Sequence, residues 1–152
     1  MANRELSKQE WLAKAQAYCA RAEHCAADVR RKLYEWGAPS DLSDESEGIE
    51  PLWREIEENL YAEGFLDDAR FCQAYVHDKV AYQRWGRLKI EAGLQALRLP
   101  SSAICEALED IDEEQYKDNL LKLIEQRPDD TPDKLLRFLL QRGFTYEEIE
   151  KA

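Results

Sequence analysis

The stretch GFLDDARFCQAYV, residues 64–76, places two carboxylates side by side at Asp67 and Asp68. A carboxylate pair can divide acid and base roles or hold a cation, but it needs a cleft and a further group that splits the two pKa values. No histidine accompanies the pair, and the chain has neither a glycine-rich phosphate loop nor a nucleophile elbow. Cys19, Cys25, Cys72 and Cys105 form no CxxC pair. His24 and Cys25 point to different helix faces, and Cys72 and His77, five apart, share none, so no zinc set is expected. The reading is of a protein that is not an enzyme and carries no metal or cofactor.

Helix architecture accounts for the aspartates more simply. Gly64 can close one helix in the left-handed conformation, and Asp67 then stands at the N-cap of the next, within reach of the N–H of Ala69 or Arg70. Leu66 and Phe71 have the spacing of a hydrophobic staple, and Asp68 in the first turn complements the helix dipole. Leu66, Asp67, Asp68, Arg70 and Phe71 therefore read as one structural motif. The same device recurs near the C-terminus, where Thr145 and Glu148 form a T-x-x-E capping box between Phe144 and Ile149.

Such caps belong to an all-helical chain. Apolar residues recur at three and four, and helices are predicted at 8–22, 26–36, 50–63, 68–83, 87–98, 102–109, 113–126, 132–142 and 146–151. The acidic, serine-rich stretch 38–50 reads as a mobile insertion. The segments VRRKLYEWGAP, IEAGLQALRLP and LLRFLLQRGFT align, with Val29/Leu33, Ile90/Leu94 and Leu135/Leu139 in register. Each of these helices ends four residues later, at Gly37, Arg98 or Gly143. The expected fold is an elongated tandem array of three three-helix repeats, at 1–66 (with the insertion), 67–110 and 111–152, a form that favours binding surfaces over deep pockets.

The chain has 152 residues, 44% of them hydrophobic, and a formal charge of −11. Its first residues, MANRELSKQEWL, are polar, and no apolar run approaches the roughly 18 residues of a membrane span. A soluble, cytoplasmic protein without membrane contact is expected. The negative charge disfavours coating nucleic acid through bulk electrostatics.

GFLDDARFCQAYV, followed by Gly86 and RLKIEAGLQALRLPSSAICEAL (87–108), resembles the bacterial RecX family of regulators of the RecA recombinase. CAADVRRKLYEWGA resembles the family's first unit and TPDKLLRFLLQRGFTYEEIEKA its third. One departure is Gly93, at a position usually acidic in the family. Inside a helix, glycine costs about 1 kcal/mol relative to alanine, so local weakening or a close helix contact is expected there. The resemblance implies a non-enzymatic, monomeric protein. Its partner would be the RecA filament on single-stranded DNA, whose growth, ATPase, strand exchange and co-protease activity it restrains in DNA repair and the SOS response.

The basic residues cluster on the middle helix of each repeat. They are Arg30, Arg31 and Lys32 in the first, Arg84, Arg87, Lys89 and Arg98 around the second, and Lys134, Arg137 and Arg142 in the third. Residues 28–37, 84–98 and 133–143 hold ten basic and four acidic residues, a net +6, which leaves −17 on the rest. Such a strip could orient an otherwise acidic body on filament acids or phosphates. Ordinary solvated helix faces with weak local ion pairs are the competing reading. Trp11, Trp36, Trp53 and Trp85 fit packing roles, with Trp85, beside Arg84 and Arg87, the candidate for a contact. Two other functions stay open: a single-stranded DNA-binding protein acting by competition for the strand, and a helical adaptor for another protein.

Overall fold

The computed structural model describes residues 6–38 and 50–152. Among them the chain forms α1 (Lys8–Arg21), α2 (Ala26–Glu35), α3 (Glu50–Ala62), α4 (Asp68–Asp78), α5 (Arg87–Ala96), α6 (Ser101–Glu109), α7 (Glu113–Glu125), α8 (Pro132–Gln141) and α9 (Tyr146–Glu150), and no strand. Of the insertion 38–50, residues 39–49 lie outside the described residues and Glu50 begins α3. One predicted helix is corrected. The segment 68–83 is α-helical only to Asp78 and continues as a π-turn over Lys79–Gln83, ending at Arg84 in the left-handed conformation with φ 53°. The backbone there follows tertiary contacts that local spacing does not encode.

The repeat is visible in how the middle helices stop. At α2, α5 and α8 the residue after the C-cap has positive φ: 89° at Gly37, 62° at Arg98 and 100° at Gly143. Its N–H donates to the carbonyl of Tyr34, Gln95 or Leu140. The next N–H, of Ala38, Leu99 or Phe144, donates to Leu33, Leu94 or Leu139. These are three copies of the Schellman motif, each with its apolar clasp buried. The register seen in the sequence is thus the register of three helix stops. Only the middle copy uses a residue with a Cβ, where the left-handed conformation costs roughly 1–2 kcal/mol. Arg98→Gly is expected to raise stability by about 0.5–1 kcal/mol in urea unfolding, since glycine's greater freedom in the unfolded chain offsets part of the gain.

The chain divides into two compact units, 1–71 and 72–152, with the boundary inside α4. In the first, α1 packs on α2 and α3. Its core holds Trp11, Ala15, Cys19, Val29, Leu33, Trp53, Ile56, Leu60 and Leu66, and burying each large side chain contributes about 1.5–3 kcal/mol. Ser7 and Glu10 form a capping box that starts α1. Burial pushes the thiols of Cys19 and Cys25 up to about 11. The unfolded thiols titrate near 8.5, so the raised values stabilise the fold fully below that pH, and the contribution is lost as pH rises towards 11. The urea midpoint is therefore expected to fall between pH 8 and pH 10.5, and to fall less in Cys19→Ala/Cys25→Ala.

In the second unit α5 packs on α6, α7 on α8, and α8 on α9. Ile90, Leu94, Leu139 and Phe144 are fully buried. Asn119, the one buried polar side chain among the described residues, donates from Nδ2 to the Val80 carbonyl at 2.8 Å, so α7 satisfies a backbone group of the π-turn. Gly93 marks a close helix contact, as expected: a Cβ there would stand 2.1 Å from the Tyr75 hydroxyl of α4.

Candidate functional site

Asp67 caps α4 by accepting the Arg70 N–H at 2.9 Å. Asp68 accepts the Tyr61 hydroxyl at 2.7 Å, and burial, with this hydrogen bond, pushes that phenol's pKa upward. Arg70 reaches back with Nε to Glu23 at 2.6 Å and with an Nη to the Gly64 carbonyl at 3.0 Å. Leu66 and Phe71 are buried. The most suggestive carboxylates are thus occupied in fastening α4 to the chain that precedes it. The Thr145–Glu148 capping box is formed as well, with both reciprocal hydrogen bonds.

The basic residues separate into two groups. Arg31 lies near Asp28 and Glu35, and Lys32 is 3.5 Å from Glu35. Arg30 stacks over the Trp53 ring at 5.5 Å. All three belong to the first unit. Arg87, in the second, is the most heavily engaged. Its guanidinium lies 4.2 Å from the Tyr116 ring centre and pairs with both Glu113 and Glu148, and its backbone N–H donates to the Tyr116 hydroxyl at 3.0 Å. Arg87 is therefore a clamp between α5, α7 and α9, and reversing its charge would test folding as much as binding.

The second group has no carboxylate at ion-pair distance among the described residues: Arg84, Lys89, Arg98, Lys134, Arg137 and Arg142. Three of this group, Arg84, Lys89 and Arg142, lie on segments that meet where α5 begins and α8 ends, and Lys79 joins them. Gly86 N–H donates to the Arg142 carbonyl at 2.7 Å and Leu88 N–H to the Gly143 carbonyl at 3.1 Å, so the start of α5 is stitched to the end of α8. A Cβ on Gly86 would stand 2.2 Å from the Gly143 carbonyl carbon, which is why both positions are glycine. This contact brings the segment that carries Arg84 to Arg142, whose pKa is lowered by desolvation and by the charge of Arg84. Trp85 carries the Lys79 ammonium at 4.5 Å and the Lys89 ammonium at 4.3 Å from its ring centre.

The contact of Lys79 with Trp85 was not legible in the sequence. Its only signal is its place six residues before Trp85, a spacing that the π-turn converts into a contact. Trp11 and Trp53 are core residues, and Trp36 packs edge-on to Tyr18.

Lys134 and Arg137 line an open cleft of about 470 Å³ with Arg127, Asp130, Phe138 and Gln141. Arg127 lies over the Phe138 ring at 3.7 Å and is held by Asp130 at 2.7 Å. Lys134 and Arg137 stand exposed beside that pair, and Arg98 is exposed at the end of α5. Among the described residues no group of carboxylates, histidines and cysteines could hold a metal ion, and no helix is long and apolar enough to cross a membrane.

Fold and surface together define a tandem three-helix repeat protein whose second unit carries several cations with no carboxylate partner among the described residues. Residues 67–108 match the family model for the second three-helix domain of RecX. The chain is 31% identical over 134 residues to the regulatory protein RecX of Pelodictyon phaeoclathratiforme, covering 85% of this chain and 78% of that one. It is also 31% identical over 157 residues to the RecX of Xanthomonas oryzae pv. oryzae, covering 98% and 90%. The crystal structure of RecX from Lactobacillus salivarius shares the fold, with a TM-score of 0.71 at 18% identity over 95% of this chain and 92% of that one. The chain belongs to the RecX family.

Proposed function

We propose that this protein is a non-enzymatic regulator that binds the RecA filament assembled on single-stranded DNA and restrains its growth, ATPase, recombinase and co-protease activities in DNA repair and the SOS response. It acts as a soluble cytoplasmic monomer built of three repeats, at 1–66, 67–110 and 111–152. Family membership supports the partner. The observation that carries the binding surface is the sorting of the cations. Arg31, Lys32 and Arg87 are neutralised by carboxylates of the same chain, whereas Arg84, Lys89, Arg98, Lys134, Arg137 and Arg142 are not. On a chain of −11, such a local excess orients the protein towards an acidic partner while the remainder is repelled.

Co-sedimentation tests this reading. The protein is expected to pellet with RecA filaments on single-stranded DNA and to stay in the supernatant with RecA alone or with the strand alone at physiological salt. Pelleting in proportion to the free strand would instead show a competitor for DNA. Failure to pellet with filaments would leave a helical adaptor for another protein.

A further inference from the structure

The cations of the second unit are built into the fold in a way that singles out four of them. Arg84 is held in the left-handed conformation by the end of the π-turn, and the Trp85 N–H donates to the Lys79 carbonyl at 3.1 Å across that turn. Asn119 pins the same turn through Val80. Arg142 arrives from α8 through the Gly86–Gly143 contact, with its Nε shielded from solvent and making no hydrogen bond. The hydrogen bond from Gly86 N–H to the Arg142 carbonyl thereby brings the segment that carries Arg84 to the end of α8, and two ammoniums are held on the Trp85 indole, one residue from Arg84. Like charges brought together repel. The half-buried Arg87 and Arg127, by contrast, are neutralised by carboxylates of the same unit.

We propose that Lys79, Arg84, Lys89 and Arg142 form a single binding site for the phosphodiester backbone of a single-stranded nucleic acid, with Trp85 as the pillar that holds its two lysines. Guanidinium forks match phosphate oxygens in pairs, and separate cations along one surface match the repeating charge of a strand. A half-exposed indole among cations suits an unpaired strand, whose bases are free to reach a ring when a lysine swings aside. Arg87 is outside the site, because Tyr116, Glu113 and Glu148 hold it. The proposal deepens the filament reading by assigning part of the cationic face to the DNA within the filament, but the site can be tested without RecA.

The experiment is fluorescence anisotropy of a labelled oligothymidylate of about 20 nucleotides, longer than a typical single-strand site, titrated with the full chain between about 50 and 200 mM salt. Wild-type protein is expected to bind weakly at the low end. Lys79→Gln/Arg84→Gln/Lys89→Gln/Arg142→Gln is expected to weaken binding at least tenfold there. It should also flatten the plot of log affinity against log salt by about 2–3, at roughly 0.7 per lost phosphate contact. Lys79→Gln/Lys89→Gln, which leaves both arginines in place, should show about half that change, and decides the matter if the fourfold variant loses its helical circular dichroism. Arg31→Gln/Lys32→Gln should change neither quantity.

An unchanged slope in the double variant would overturn the proposal, as would an equal loss in the Arg31/Lys32 control. Displacement of the oligonucleotide by polyglutamate at matched charge would also overturn it, and would assign the cluster to an acidic protein segment. If oligonucleotide binding follows this pattern but filaments are not bound, the site stands and the RecA reading fails. If filaments are bound equally well by the fourfold variant and oligonucleotide by neither protein, the reverse holds.

Discussion

Gly86→Ala is expected to destabilise the second unit by about 3 kcal/mol, near the upper end of what overpacking costs. The new Cβ would meet backbone atoms at 2.2–2.4 Å, the carbonyl of Gly143 and the N of Phe144, and neither belongs to a flexible side chain that could swing away. Relief requires parting α5 from the end of α8, which breaks the hydrogen bonds from Gly86 and Leu88 and exposes Phe144, a fully buried side chain. Gly143→Ala should cost a similar amount, because its Cβ would stand 2.5 Å from that of Lys89 and its φ of 100° is strained for any side chain. Gly64→Ala is the control. That residue also has positive φ but open space around it, so the expected cost is only about 1 kcal/mol. Urea unfolding followed by circular dichroism compares the three. A Gly86→Ala protein no less stable than Gly64→Ala would show that the two segments are not in contact.

The second large effect concerns binding. Lys89→Glu/Lys134→Glu/Arg137→Glu reverses three cations that no carboxylate neutralises among the described residues. The half-inhibitory concentration against RecA filaments is expected to rise at least tenfold, about 1.4 kcal/mol. Folding should be little changed, since Lys134 and Arg137 are exposed and their main tertiary role is to line an open cleft. Arg31→Gln/Lys32→Gln, which removes cations already facing Asp28 and Glu35, should shift the half-inhibitory concentration less than twofold. Equal shifts in the two variants would mean that inhibition follows overall charge rather than a particular face.

What the sequence made legible is what local geometry dictates. The Asp67 cap, the Thr145–Glu148 box and the three helix stops at Gly37, Arg98 and Gly143 depend on residues within about one and a half turns of one another, and each was readable from spacing. The features that spacing does not show all involve partners distant in sequence. Nothing in KVAYQ marks a π-turn, because its stabilising partner, Asn119, lies 39 residues away. Arg87 shares the spacing of the basic strip, and its pairing with Glu113 and Glu148, 26 and 61 residues on, has no local signal. The pairing of Gly86 with Gly143 likewise has no local signature, although two glycines at the edges of helices were available to suggest a close approach. Chain-local physics thus located the repeats, and tertiary contacts decided which cations meet a carboxylate of the same chain.

The most direct test of the central claim is the DNA-dependent ATPase of RecA pre-assembled on single-stranded DNA, titrated with this protein at salt where naked strand is not bound. Inhibition well below one copy per RecA is the expected result, because a regulator that recognises the filament acts on many subunits through few contacts. Inhibition that appears only as the free strand becomes saturated, or no inhibition at all, would contradict filament recognition.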